Sequence, residues 1–402
     1  MNPRLFTVAL FLSLPLLSIA EDWPHWRGPA FDGTSKESVP ETLPEKLPVA
    51  WEAKVGIGFS TVSVVGDRVL TMGNADAKDT VWCLSAESGK VLWKHRYDCD
   101  LADRYYEGGP TATPTIHEGK VYTLSKMGHA RCLDLESGKP LWTRDLVADH
   151  GFELPEWSFS SSAYIDGPRV LYNVGRGGLA LSAETGETLW MPDTGTSGYA
   201  TVVPYASNRA EPNHLLFSAK ALISFDSKTG EQHWSFPWKS SRDVNAADPI
   251  VTPEGIVVSS SGGTRMLQPT AAGETPEVLW EQHDLKWYFN AGVVIDDHIY
   301  SIHGTTHKPT ELICTELKTG KTIWAEEGFG NGAVTAAGDT VFLFDKGSLI
   351  LFRASPDGYK PLLEQKLAEG KCWTVPVLAN GQVYCSTAEG DLIAVKLESA
   401  AP

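Results

Sequence analysis

The sequence predicts an all-β fold: an eight-bladed β-propeller of four-stranded antiparallel blades, closed by the N-terminal strand pairing with the last blade. Three observations predict it. A short stretch recurs: alternating residues, then Ser or Thr with Gly, then Trp four places after the Gly, as in CLDLESGKPLW ending at Trp142. The landmarks Trp51, Trp93, Trp142, Trp190, Trp234, Trp280 and Trp324 are 42, 49, 48, 44, 46 and 44 residues apart, the length of a four-stranded blade with its loops. Finally, Trp51 has a fourth strand, LPVAWEAKV, with no three before it, while the last unit, Trp373 to Leu397, has three strands and no fourth.

Each part of the repeat has a physical reading. Alternation before the Gly suits a half-buried strand. Gly accepts positive φ without steric cost, so Ser/Thr-Gly marks a tight turn. One hairpin cannot bury its own apolar face, so neighbours must stack. A Trp at a fixed place in each unit supplies a large plate to wedge between them. The copy AAGETPEVLW, ending at Trp280, is degenerate, and the unit from Gly332 to Leu367 ends on Leu.

Along the chain, residues 1–20 read as a secretory signal, with Arg4 the only charge, an apolar run broken by Pro15, and small Ser18 and Ala20 before Glu21. The run is short for a bilayer, and no Cys follows it for a lipid anchor. The expectation is a periplasmic or secreted protein that does not span a membrane. Residues 21–50 are a lead-in, WPHWRGPAFDG and then Pro40, Pro44 and Pro48, unsuited to a regular strand or helix. Trp23, Trp26 and Phe31 are expected to pin it to the ring as a structural lead-in or plug. Residues 51–398 form the propeller, one domain despite its length, because a ring of small sheets has no single core to outgrow.

The formal charge is −16, and loss of Arg4 with the leader takes it to about −17. Nucleic acid needs a basic footprint, so it is excluded as a partner. Cys83, Cys132 and Cys314 each lie six residues before a repeat Gly, where other blades place Ala180, Ser224 and Ala394. That position reads as a slot for a small buried side chain, with inert thiols. Cys99, Cys372 and Cys385 remain, and whether two of them pair is open. No CxxC supports a zinc or thioredoxin-type site.

Candidate site residues come from loops that share one register, immediately ahead of the first strand of a blade. They are RYYEGGP (104–110), PEWSFSS (155–161), SRDVNAADP (241–249), KWYFNAG (286–292) and GKCWTVP (370–376). In a propeller such loops converge on one face. Glu107, Trp157, Arg242, Asn245, Trp287, Asn290 and Trp373 are therefore expected to line one mouth, a mixture of aromatics and hydrogen-bonding groups that suits a ligand. The competing reading packs the indoles between blades and uses the polar groups to cap backbone. No catalytic residue and no metal ligand is assigned. Asp243, Asn245 and Asp248 offer oxygens to a hard cation, but Asp248 stands where an EF-hand loop needs Gly. His303 and His307 fall on a loop and not on one helix face.

The Ser/Thr-Gly-x-x-x-Trp repeats, the leader WPHWRGP, the segment YEGGPTATP and the closing GKCWTVPVLANGQVYC resemble the pyrroloquinoline quinone (PQQ)-binding-like β-propeller repeat proteins. That superfamily includes quinoprotein alcohol dehydrogenases and the barrel-assembly protein BamB. The resemblance covers Trp51 to Leu397 and implies the eight-bladed fold. It implies two functions. One is a non-catalytic binding scaffold of the cell envelope, with an envelope protein, peptide or polysaccharide as ligand. The other is a PQQ- and calcium-dependent alcohol or sugar dehydrogenase. The chain lacks the adjacent Cys pair, the long loops and a placeable catalytic Asp of the dehydrogenases, and it lacks CxxCH for haem. The scaffold is the expected function.

Overall fold

The computed structural model describes residues 20–205, 213–270, 273–306 and 309–398. The proposed signal, residues 1–20, lies outside them except for Ala20. The described residues form eight antiparallel sheets. The first strands of blades 1 to 8 are Ser63–Val65, Thr115–His117, Tyr164–Asp166, Val203–Tyr205, Ile250–Thr252, Val293–Ile295, Ala333–Ala337 and Val377–Ala379. They line the channel. The middle strands are sandwiched between neighbouring blades and read as apolar runs, such as the fully buried Thr340–Asp345. The outer strands alternate with solvent, as in Val91–Asp98. Blade 8 takes its outer strand, Val49–Lys54, from the front of the chain, with Trp51 opposite Ala394 and Lys54 opposite Asp391. The predicted closure is therefore present, and its strand begins two residues earlier than position 51.

The repeat is a docking device between blades. The indole Nε1 groups of Trp51, Trp93, Trp142, Trp190 and Trp280 donate to the carbonyls of Ala86, Leu135, Ala183, Ser227 and Leu317 in the following blade, at 2.8–3.1 Å. Each acceptor lies three residues ahead of that blade's turn Gly. The indole ring then covers the Gly itself. A Cβ on Gly89, Gly138, Gly186, Gly230 or Gly320 would sit 2.4–2.7 Å from the Trp of the preceding blade. These glycines also have φ between 66° and 74°. The turn Gly is thus required twice, by its own backbone and by its neighbour's ring.

A bulge aims each indole. In every blade the outer strand slips register just before the Trp position. Trp93 faces Cys83 while Val91 faces Leu84, so Leu92 is the extra residue and remains 47% exposed. Bulges re-aim side chains and also blunt exposed sheet edges, which eight outer strands would otherwise present.

The small-residue slot is the position opposite the Trp: Cys83, Cys132, Ala180, Ser224, Cys314 and Ala394. Two blades depart from it, with Met266 opposite Trp280 and Leu351 opposite Leu363. Blade 7 is also the unit that ends on Leu. Its neighbour is the closing blade, whose third and fourth strands come from opposite ends of the chain. No turn joins them, so an indole there would have no Gly to cover. Instead Gln365 accepts from Leu47 N at 2.7 Å and donates to Leu47 O at 3.0 Å, latching the approach to the closing strand.

The lead-in is a plug, and part of it is a strand after all. Thr34–Ser35 pairs in parallel with Ala336 and Ala337 as a fifth strand of blade 7. The prolines that follow make the remainder irregular, as expected, but this short piece precedes them. Trp23 bridges Val64 of blade 1, and Pro24 O accepts from Ile116 N of blade 2. Phe31 packs on Tyr164 of blade 3 at 4.9 Å. Trp26 bonds Asp248 ahead of blade 5. Arg27 donates to Ala291 O and Gly292 O ahead of blade 6. Glu37 accepts from Asn380 N and Gly381 N of blade 8. One short segment therefore touches seven blades and closes one end of the channel.

Gly138→Ala meets both the left-handed φ and the Trp93 ring at 2.4 Å, whereas Gly119→Ala has φ 74° but nothing within 4 Å. Urea denaturation is expected to show G138A losing about 2–4 kcal/mol and G119A about 1 kcal/mol; equal losses would remove the docking role of Gly138. His25 stacks on Phe31 at 3.9 Å within the plug, and burial lowers its pKa from 6.5 to about 4. The folded state then holds fewer protons than the unfolded one between these values. This contribution to stability is complete above about pH 6.5 and is lost as the pH falls to about 4, up to roughly 3 kcal/mol. Urea midpoints of His25→Gln should fall less steeply over that window than those of the parent.

Candidate functional site

The end of the channel opposite the plug is a blind mouth of about 750 Å³, within the size range of small-molecule sites. Its inner wall follows one register. Phe59, Thr111, Ser160, Tyr199, Ala246, Phe289 and Trp373 each lie four residues ahead of a first strand, in blades 1 to 6 and 8, and all line the cavity. Ser162, Thr201, Asp248 and Asn331, two residues ahead, form a second tier. Tyr105, Tyr106, Trp157, Arg242 and Tyr288 come from the longer loops and build the rim.

The floor is Trp26, whose indole Nε1 donates to Asp248. The other Asp248 oxygen accepts from Thr201 N at 2.7 Å. Burial pushes the Asp248 carboxyl above the ordinary range, against the opposing pull of Arg27. Arg27 in turn is lowered by burial. The wall beside the floor is a stack: Phe289 on Trp373 at 4.5 Å and 26°, Trp373 on Phe59 at 5.1 Å and 25°. Lys126 is buried behind the wall and donates to the Tyr106 hydroxyl. Burial brings its amine down to about 8.

The exposed cations at the mouth are already paired. Lys371 donates to both Glu107 oxygens at 2.7 Å and lies 4.5 Å from the Trp373 ring. Arg242 pairs with Glu156 at 3.1 Å and lies 5.9 Å from the Trp157 ring. Several rim residues carry backbone strain. Ala102, Tyr105, Ser158, Arg242 and Asp243 all have φ between 51° and 71°. For residues other than Gly, Asn and Asp this costs about 1–3 kcal/mol each, and such strain clusters at functional loops.

Four of the seven residues expected at the mouth line it: Trp157, Arg242, Asn290 and Trp373. Glu107 reaches it through Lys371. Asn245 and Trp287 do not. Asn245 is buried, and its amide donates to Ser218 O and Ala219 O. Trp287 is fully buried between blades 5 and 6. Both sit five or six residues ahead of their first strands, where the chain is still inside the wall. Phe59, Tyr199, Phe289, Thr111 and Ser160 were not singled out by the sequence reading. Counting back four places from every first strand would have found them; a search for unusual residues did not, because Thr and Ser are unremarkable in loops.

The oxygens of Asp243 and Asp248 are already engaged: Asp243 pairs with Lys220 at 2.7 Å, and Asp248 is held by Trp26 and Thr201. Asn245 Oδ1 is buried without a hydrogen-bond partner among the described residues. His303 is not on a loop: it ends the strand His298–His303 and its Nδ1 accepts from Lys286 N at 3.1 Å. His307 lies outside the described residues.

The family model described as outer membrane protein assembly factor BamB matches residues 46–151 and 77–326, more than half of the 402-residue chain. The chain belongs to this family. BamB of Burkholderia pseudomallei is 23% identical over 389 residues, 88% of this chain and 90% of that protein. The dehydrogenase subunit of the quinone-type alcohol dehydrogenase of Gluconobacter oxydans is 30% identical over 167 residues, 37% of this chain and 21% of that protein. Among solved structures, BamB of Moraxella catarrhalis aligns with a TM-score of 0.64 at 15% identity, covering 89% of this chain and 99% of that one. The quinohemoprotein alcohol dehydrogenase of Comamonas testosteroni aligns at 0.71 with 13% identity, covering 95% and 81%. These two likenesses show the fold.

The residues of this BamB-family chain do not fit PQQ with calcium. A calcium ion takes 6–8 oxygen ligands. Asp248 is the one carboxylate lining the mouth among the described residues, and both its oxygens are in use. No group of three or more His, Cys, Asp or Glu among the described residues is placed to hold a metal. A quinone bearing carboxylates would also need free cations, and Arg242 and Lys371 are both paired.

All six cysteines are buried and free, which resolves Cys99, Cys372 and Cys385 as unpaired thiols. Burial pushes Cys83, Cys99 and Cys372 up to about 12 and Cys132 and Cys314 up to about 11. Thiolate is the reactive form. Native protein at pH 8 is therefore expected to give almost no colour with Ellman's reagent, and guanidinium-unfolded protein should titrate six thiols per chain.

Proposed function

We propose that the protein is a non-catalytic binding scaffold of the cell envelope that holds its ligand in the blind aromatic mouth. Residues 1–20 export it, residues 21–50 plug the ring, and residues 51–398 are the propeller that presents the site. It works in the periplasm or outside the cell. The observation that carries this reading is the mouth itself: a cavity of about 750 Å³ with open aromatic surface and ionic groups that are already neutralised. Such a surface binds without supplying a nucleophile, a charged acid–base pair or a metal. Kinship with BamB of Burkholderia pseudomallei across 88% of this chain supports an envelope role, including contact with other envelope proteins. An alternative, a PQQ- and calcium-dependent alcohol or sugar dehydrogenase, draws on the partial match to the quinone-type enzymes and on the axial position of the mouth. The donor set described above speaks against it.

Purified protein given PQQ and calcium is expected to reduce no artificial dye above background with alcohols or sugars. Dye reduction that disappears in Glu107→Ala or Asn290→Ala would overturn the scaffold in favour of the dehydrogenase. Native mass spectrometry of protein recovered from the envelope fraction should show retained ligand that Trp373→Ala releases.

A further inference from the structure

We propose that the ligand of the mouth is an uncharged oligosaccharide, a proposal that rests on the binding-scaffold reading and gives its ligand a chemical class. A sugar ring is amphipathic on its own scale. Its C–H faces are apolar and its rim carries hydroxyls that both donate and accept. A matching site offers aromatic surface next to neutral hydrogen-bonding groups, with no charge left to satisfy.

The mouth offers that combination. The Phe289–Trp373–Phe59 stack is one continuous aromatic wall. Trp26 gives an aromatic floor with its only polar atom already spent on Asp248, so the cavity meets ring and not N–H. Neutral polar groups stand at the same level. Ser160 and Asn331 line the cavity without a hydrogen-bond partner among the described residues. Asn290 commits its amide N–H to Trp373 O at 2.9 Å and keeps its carbonyl oxygen. Unpartnered polar groups facing a water-filled mouth are inexpensive alone and become selective when a ligand displaces the water.

Other ligand chemistries fit less well. An anion such as a uronate, a phosphate or a peptide carboxylate needs a free cation, and Arg242 and Lys371 are bound to Glu156 and Glu107. A peptide that binds by adding a strand needs a free strand edge. The channel-side edges are taken at Val64 by Trp23 and at Ala336 and Ala337 by Thr34–Ser35.

The test is isothermal titration calorimetry of the full exported chain. The probes are neutral tetrasaccharides (cellotetraose, maltotetraose, mannotetraose and chitotetraose), tetramannuronate as an acidic counterpart, and the capped peptide acetyl-Phe-Ala-Phe-amide. At least one neutral tetrasaccharide should bind saturably at one site, with affinity unchanged from about 0.05 to 0.5 M salt. Asn331→Ala should weaken that binding about 3–10-fold, the loss of one hydrogen bond. Trp373→Ala should weaken it more than about tenfold, while Lys90→Ala on a distant turn should leave it unchanged. Binding of no neutral tetrasaccharide would overturn the proposal. So would tighter, salt-sensitive binding of tetramannuronate. Binding of the capped peptide in place of the sugars, lost in Trp373→Ala, would overturn the sugar assignment and leave the scaffold standing. PQQ-dependent dye reduction with no probe bound would overturn both.

Discussion

The ring depends on one contact repeated at five of its eight junctions: an indole laid over a glycine in the turn of the next blade, with its N–H on a carbonyl three residues earlier. Each half of the contact constrains the other. The Gly must lack a Cβ because the ring is there, and the ring can be there because the Gly lacks a Cβ. The bulge that precedes each Trp aims it sideways, and the small residue opposite all of them but Trp280 gives it room. Four features of the repeat that look independent in sequence thus serve a single interaction. Where the partner turn is missing, at the junction of blades 7 and 8, the Trp is missing too, and the amide of Gln365 holds Leu47 in its place.

Closure makes this contact cooperative. Blade 8 is completed by Val49–Lys54, so loss of the front strand would leave the last blade with three strands and Gly89 without the Trp51 ring that covers it. The plug adds a second tie across the middle. Its contacts reach seven blades, and Arg27, Glu37 and the Pro24 carbonyl bond backbone groups of blades 6, 8 and 2. A propeller channel plugged at one end is a cup. The chemistry available to a ligand is then decided mainly by the residues ahead of the first strands, together with Trp26 of the plug and Thr306.

Much of the fold was legible from the chain, because Trp, Gly and strand alternation carry it directly, and the front-to-back closure followed from counting strands. The site was legible only in part. All five loops contribute residues to the cavity, but Trp157, Trp287 and Trp373 look alike as letters. Trp287 turns into the wall six residues ahead of its strand, and Trp373 opens onto the cavity four ahead. Charge pairing was hidden as well: Glu107 and Lys371 are 264 residues apart in sequence and 2.7 Å apart in space.

By itself the sequence determined the number of blades, the seam of the ring, the small-residue slot opposite most of the indoles and the absence of a basic footprint. These depend on local periodicity and composition, which a linear string contains. The tertiary structure alone decided that the lead-in closes the channel, that Asn245 and Trp287 belong to the wall, that the cysteines stay unpaired and that the cations at the mouth are neutralised. Each of those is a relation between residues brought together across the ring, and distance along the chain carries no information about it.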